Sequence, residues 1–217
     1  MDFTHFGHAC LLVENDGARV LIDPGAFSSG WQDLTDIDAV LITHQHFDHF
    51  DQGGVQTLLQ DNPGARLVVE AATAAHCSDR LAERAETVSP GDDLTIAGVD
   101  LTIVGGEHAT IHADVPRIPN IGLFFPASGF LHPGDELAVP SVEVQILALP
   151  VSGPWQRLSD AVDYLRAVAP AVAFPVHEAV LSKPEIWYRY LDALKPAGTD
   201  FRVLPPAVPS TVVASPR

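Results

Sequence analysis

The chain has 217 residues, 47% of them hydrophobic, enough for one domain with a full core. Its 28 acidic residues against 12 basic ones leave a formal charge of −16 with no Lys/Arg cluster, which disfavours nucleic-acid binding. No apolar run approaches the roughly 18 residues of a membrane span and no basic-then-apolar leader opens the chain, so neither anchor nor signal peptide is expected and a cytoplasmic location is. Cys10 and Cys77 form no CxxC pair and read as reduced thiols.

Residues 2–6, 10–15 and 18–23 read as short strands, with Asn15-Asp16-Gly17 as a tight turn between the last two. Asp23-Pro24-Gly25 ends a strand of Val20, Leu21 and Ile22 that looks buried on both faces, and a loop over 26–38 carries Trp31. Then Val40-Leu41-Ile42-Thr43 runs straight into His44-Gln45-His46-Phe47-Asp48-His49, a buried strand emptying into a loop of metal-ligand side chains. Alternate side chains of an extended segment share a side, so His44, His46 and Asp48 point together, and a turn brings His49 to a neighbouring position. Imidazole and carboxylate suit Zn, Mn or Fe, and the spacing serves two adjacent ions, His44 and His46 on one, Asp48 and His49 on the other. Asp23, at the nearby strand end, is read as an acceptor that orients a ligand imidazole.

The segment Thr43-His44-Gln45-His46-Phe47-Asp48-His49 resembles the signature of the metallo-β-lactamase superfamily. That resemblance implies an α/β fold, a four-layer αβ/βα sandwich of two mixed β-sheets flanked by helices, with a mono- or dinuclear metal site. Phe6-Gly7-His8-Ala9 followed by Leu21-Ile22-Asp23-Pro24-Gly25 is similar to one branch, the L-ascorbate-6-phosphate lactonase-like metal-dependent hydrolases, and matching motifs continue to about residue 177. In that branch the position of His8 lies at the site mouth, which implies a substrate-binding or supporting role without direct ligation.

Further along, residues 52–61 suit a short helix beside the metal loop, Leu67-Val68-Val69 a buried strand, and 71–85 an Ala-rich helix. Asp93–Ile96 and Val99–Val104 pair as a hairpin across Ala97-Gly98. An open site needs a third protein ligand for the first ion, and His108, straight after that strand and the permissive Gly105-Gly106, is the candidate. The resemblance places this ligand early in the loop, leaving the rival His112 to line the pocket. Pro116 and Pro119 stiffen a loop carrying Arg117 that is expected to overhang the metals. Ile121–Phe125 and 129–135 read as strands, and Asp135, in a Pro-Gly-Asp turn, resembles the family's bridging carboxylate. Val144–Leu149 is a core strand; Trp155 follows it, as a packing residue or a pocket wall, before a helix over 160–168 with Ser159 as N-cap. Ala171–Phe174 deliver His177 at their end, the missing ligand of the second ion. Pro184 opens a last helix through Leu194, and Phe201–Leu204 close an edge strand, so residues 1–205 form a single domain and 206–217 a loosely held Pro-rich tail.

The expectation is therefore a hydrolase with two divalent ions, Zn first and Mn or Fe as alternatives. His44, His46 and His108 hold one, Asp48, His49 and His177 the other, with Asp135 between them. A metal-bound hydroxide, flanked by Asp48 and Asp135, attacks a small and negatively charged ester, lactone or phosphodiester held near Arg117. No nucleic-acid or membrane partner is expected, and a homo-oligomer is allowed. Two other classes stay open: an iron-dependent oxidoreductase on the same fold, and a non-catalytic metal-binding protein.

Overall fold

The β-branched and aliphatic runs of the sequence become strands, and the computed structural model, which describes residues 1–214, arranges them in two sheets. The first six, β1 (Asp2–His5), β2 (Leu11–Asn15), β3 (Ala18–Ile22), β4 (Ala39–Ile42), β5 (Arg66–Glu70) and β6 (Ala85–Val88), belong to one sheet. The other sheet contains β7 (Asp93–Ile96), β8 (Val99–Glu107), β9 (Pro119–Phe125), β10 (Phe130–His132), β11 (Ile146–Pro150), β12 (Val172–Val176) and β13 (Asp200–Phe201). A last strand, β14 (Ser210–Thr211), returns to the first sheet, giving the orders β14-β1-β2-β3-β4-β5-β6 and β13-β12-β11-β10-β9-β8-β7.

Both sheets are mixed for the same reason. Tight turns make antiparallel pairs, as at Asp16-Gly17 and Ala97-Gly98, where both residues of each turn have positive φ. Longer crossovers make the parallel pairs β3-β4-β5-β6 and β10-β11-β12-β13. The helices lie in or beside those crossovers: α1 (Gln52–Asp61), α2 (Ala71–His76) and α3 (Asp79–Ala82) in the first half, α4 (Leu158–Val168) and α5 (Pro184–Leu194) in the second. No helix among the described residues is long and apolar enough to cross a membrane.

Packing follows from strand alternation. On β4, Leu41 faces the inter-sheet core with Phe3, Ile22, Leu101, Leu123, Phe130 and Phe174, whereas Val40 and Ile42 face Trp31, Val55 and Leu58 on the helix side. All of β4 is fully buried, and each such Leu or Ile contributes about 1.5–3 kcal/mol. A third layer packs Leu147, Leu149 and Ala173 under Ala161, Leu165 and Leu191, completing the αβ/βα sandwich. At one edge the sheets are stitched by backbone hydrogen bonds from Ile121 N–H to Thr43 O (2.9 Å) and from His177 N–H to His8 O (2.8 Å). The strand ends β3, β4, β8 and β12 converge there.

Three sequence expectations need correction. The helix over 71–85 is two short pieces broken at Cys77-Ser78, whose backbones are extended, and Ala85–Val88 forms β6 because it completes a parallel ladder with β5. Helix α4 begins at Leu158, where the Asp160 carboxylate accepts the Arg157 N–H (2.8 Å), so Ser159 is not its cap. The tail is not loose between 206 and 214: Ser210 and Thr211 pair with β1, Pro206 bridges His5, and Val212 is buried. Residues 215–217 of that expected tail lie outside the described residues.

Candidate metal centre

The loop after β4 is shaped by what lies beneath it. Asp23, buried and at φ 46°, accepts the Thr43 N–H (2.8 Å) and the Thr43 hydroxyl (2.7 Å) and lies 2.7 Å from His49 Nδ1. Thr43 Oγ1, having donated its proton to Asp23, accepts from His44 Nδ1 (3.0 Å). Gly25 is obligatory at its place, because a Cβ there would lie 1.8 Å from the Asp48 carbonyl oxygen. His49 N–H and Phe50 N–H both donate to His46 O, closing the turn that sends His49 round.

Six histidines and two aspartates meet at this edge, in two groups whose ligand atoms lie within 4.8 Å of one another: His44, His46, His108 and Asp135, and His8, Asp48, His49 and His177. In the first, His44 Nε2 is 3.1 Å from His46 Nδ1, and Asp135 Oδ2 is 3.2 Å from His108 Nε2 and 3.7 Å from His44 Nε2. In the second, Asp48 Oδ2 is 3.0 Å from His8 Nε2 and 3.6 Å from His177 Nε2. Asp135 also reaches the second group, 3.2 Å from His49 Nε2 through Oδ1 and 3.2 Å from His177 Nε2 through Oδ2.

Far-side hydrogen bonds fix the tautomers. His49 donates Nδ1–H to Asp23, and His108 donates Nδ1–H to the Ala109 carbonyl (2.6 Å), so each ring turns its Nε2 to the centre. His49 Nε2, His108 Nε2, both ring nitrogens of His177, His8 Nδ1 and Asp135 Oδ1 are buried without a hydrogen-bond partner among the described residues. Each such orphan costs about 1–3 kcal/mol unless something satisfies it. Two ligands of one tetrahedral ion, each at about 2.0–2.2 Å, stand about 3.3 Å apart, which is the spacing found here. The donor set therefore fits divalent metal.

The charges of the protein's own groups divide the histidines of the centre. Burial pushes His44 well below its ordinary pKa, with His49 adding to the effect, and burial lowers His46 and His8 as well. These three are held neutral, the form that ligates. Burial opposes charge on His49 too, but Asp135 and Asp23 on either side outweigh it and hold its pKa well above the usual range. Burial likewise opposes ionisation of Asp135 and Asp48, yet His49 and His177 keep Asp135 well below the usual carboxylate range, and the hydrogen bond to His8 together with the nearby charge of His49 brings Asp48 to about 2.

Other expected site residues divide sharply. Trp155 donates Nε1–H to Asp135 Oδ2 (3.2 Å), and its ring lies edge-on to His108 and His177. His112 is two-thirds exposed beside Asp114 (3.5 Å) and belongs to neither group. Arg117 is half exposed and paired with Glu107 at 2.7 Å; it lines a small cleft of about 20 Å³ with His46, His108, Ile111, Val115 and Ile118. Sequence reasoning missed Thr43 and Asn120. Asn120 is fully buried, accepts the Asp135 N–H (3.0 Å) and donates to Pro133 O (2.9 Å), holding the turn that presents Asp135. Its signal was a lone amide at the head of an otherwise apolar strand.

Residues 2–177 match the model of the family described as "Beta-lactamase superfamily domain". Protein Rv0786c of Mycobacterium tuberculosis is 46% identical over 209 residues, 94% of this chain and 97% of that protein. A UPF0173 metal-dependent hydrolase of Methanopyrus kandleri is 29% identical over 197 residues, 82% of this chain and 84% of its own. Among solved structures, Igni18, described as a novel metallo hydrolase from the hyperthermophilic archaeon Ignicoccus hospitalis, has a TM-score of 0.73 at 18% identity, with 97% of this chain and 98% of that chain covered. At that identity the likeness concerns the fold alone.

Proposed function

We propose that this chain, which belongs to the beta-lactamase superfamily, is a metal-dependent hydrolase of small ester, lactone or phosphodiester substrates. The observation that carries the reading is the convergence of imidazole nitrogens, several of them buried without a hydrogen-bond partner, on two carboxylates in two adjacent groups that Asp135 joins. His44, His46 and His108 would hold one divalent ion, Asp48, His49 and His177 a second, with Asp135 serving both; Zn suits this set, and Mn or Fe are accepted by the same ligands. When bound, such ions supply Lewis acidity, which activates water as a nucleophile at neutral pH and offsets charge on a developing oxyanion.

The chain's own residues set the stage for that chemistry. Asp23 and Thr43 hold the His49 and His44 rings with their lone pairs inward, and the Ala109 carbonyl does the same for His108. Trp155 and Asn120 fix the two ends of Asp135, its carboxylate and its backbone N–H. The apolar side chains of Ile111, Val115 and Ile118 border the approach to His46 and His108, and Arg117 at the same rim offers a guanidinium to an anionic substrate once it leaves Glu107. The relative from Methanopyrus kandleri is named a metal-dependent hydrolase, which supports the reaction class and says nothing of the substrate. The opening motif Phe6-Gly7-His8-Ala9 supports the lactonase-like branch.

A panel of aryl esters, lactones and bis(p-nitrophenyl) phosphate, run on protein loaded with Zn²⁺, Mn²⁺ or Fe²⁺, tests the reading. Turnover on at least one class that is lost with chelator is expected. Oxygen-dependent oxidation by the iron-loaded protein without hydrolysis would replace the hydrolase with an oxidoreductase.

A further inference from the structure

His8 lies in the turn between β1 and β2, remote in sequence from every other residue of the centre, and its side chain is wholly buried. Its backbone is left-handed, at φ 56°, a region disfavoured for any residue with a Cβ. Three hydrogen bonds hold it there. Its N–H donates to Glu178 Oε1 (2.9 Å), and its carbonyl accepts from the His177 N–H (2.8 Å) and from His5 Nε2 (3.0 Å). The backbone of this one residue thus clamps the first turn of one sheet to the end of β12 in the other.

The clamp delivers the imidazole into the second group. Its ring centroid is 3.9 Å from that of His177 and 5.7 Å from that of His49, with Phe27 closing the far side at 5.2 Å. Nε2 is 3.0 Å from Asp48 Oδ2, the same oxygen that stands 3.6 Å from His177 Nε2. A role limited to orienting Asp48 leaves unexplained why ligand atoms of His8, Asp48, His49 and His177 all lie within 4.8 Å of one another. The first group has no counterpart to His8: its donors are three imidazoles and an Asp135 shared with the second group, and the small cleft beside His46 and His108, with room for about one water, opens on it.

We infer, resting on the two-ion reading above, that His8 is a ligand of the second ion, which makes the second site closed and tight and leaves the first as the open site where substrate reacts. Five side chains, His8, Asp48, His49, His177 and the shared Asp135, would crowd the second site, whereas the first has three imidazoles and only a share of Asp135, which leaves it the position for exchange. The division of labour is thereby built into the fold.

The test is titration of metal-free protein with Co²⁺, reading bound ion by equilibrium dialysis and counting paramagnetically shifted imidazole N–H signals. His8→Gly is the suitable variant, because glycine adopts the left-handed backbone freely, and circular dichroism of the metal-free form checks its folding. Wild type is expected to bind two Co²⁺ in separate steps. His8→Gly should weaken the tighter step by about a hundredfold or more, lose one shifted imidazole signal, leave the weaker step in place and regain the tight step on addition of free imidazole. His46→Ala should remove the weaker step instead. Unchanged steps in His8→Gly, equal weakening of both, or a weakened tight step with the full set of imidazole signals would overturn ligation by His8 while leaving two ions in place. Wild type that binds fewer than two Co²⁺ would overturn the two-ion reading and this inference with it.

Discussion

The loops that follow β4 and β8 both carry histidines, yet only one of them commits all of its histidines to the centre. After β4, His44, His46 and His49 sit on a loop pinned from below by Asp23 and packed on Gly25. After β8, His108 is one residue beyond the strand, with its N–H bonded to Ile118 O and its ring to Ala109 O, whereas His112, four residues later, turns out to solvent beside Asp114. The difference teaches that a histidine reaches the centre here when a hydrogen-bonded strand end or tight turn fixes its backbone.

Substitutions can break or sharpen this comparison. The largest effect is expected from Asp135→Asn, since this carboxylate reaches both groups: bound metal should fall and turnover drop at least about a hundredfold. Metal analysis together with kcat decides it, and unchanged values of both would remove Asp135 from the centre. Next, His108→Ala should cost one bound ion and most activity, because its Nε2 faces the first group. Full metal content in that variant would dissolve the distinction between the two histidines of this loop. Asn120→Ala strips partners from Asp135 N–H and Pro133 O, so denaturant unfolding should show a loss of about 1–3 kcal/mol, with metal bound more weakly. No change in either would mean that the turn holds Asp135 unaided. The smallest effect belongs to His112→Ala, where metal content should equal that of wild type and KM move less than about twofold, as for other exposed surface changes. Loss of an ion there would place the ligand on the wrong histidine.

Much of this was legible in the chain. A parallel strand buried on both faces is nearly all apolar, so the abrupt passage from Val40-Leu41-Ile42 to His44 marks where a strand surfaces, and Phe174-Pro175-Val176-His177 repeats the sign. Asp135 was legible from its glycine turn and its resemblance to the family. Thr43, Asn120 and Glu178 were not, because each acts through a partner far away in sequence, such as Asp23, Asp135 or His8. Nor did local pattern end the helix before Ala85: Ala71, Ala72, Ala74 and Ala75 favour a helix, and it is the ladder to β5 that takes Ala85 into β6. The tail misled for a similar reason. Its prolines and small residues suggest looseness, but the open edge of β1 offers hydrogen bonds that Ser210 and Thr211 take. Arg117 was expected to meet an anionic substrate from a loop overhanging the centre, and an acidic neighbour, Glu107, pairs with it at the rim.

The central claim is that the two groups around Asp135 hold two ions that together support hydrolysis. Its most direct test strips the protein with chelator and titrates Zn²⁺ back while bound metal and hydrolysis of the substrate panel are followed in the same samples. The account requires binding to saturate near two ions per chain, with hydrolysis absent from the stripped protein and restored as the ions return. Saturation at one ion or none, or hydrolysis that survives complete stripping, would contradict it.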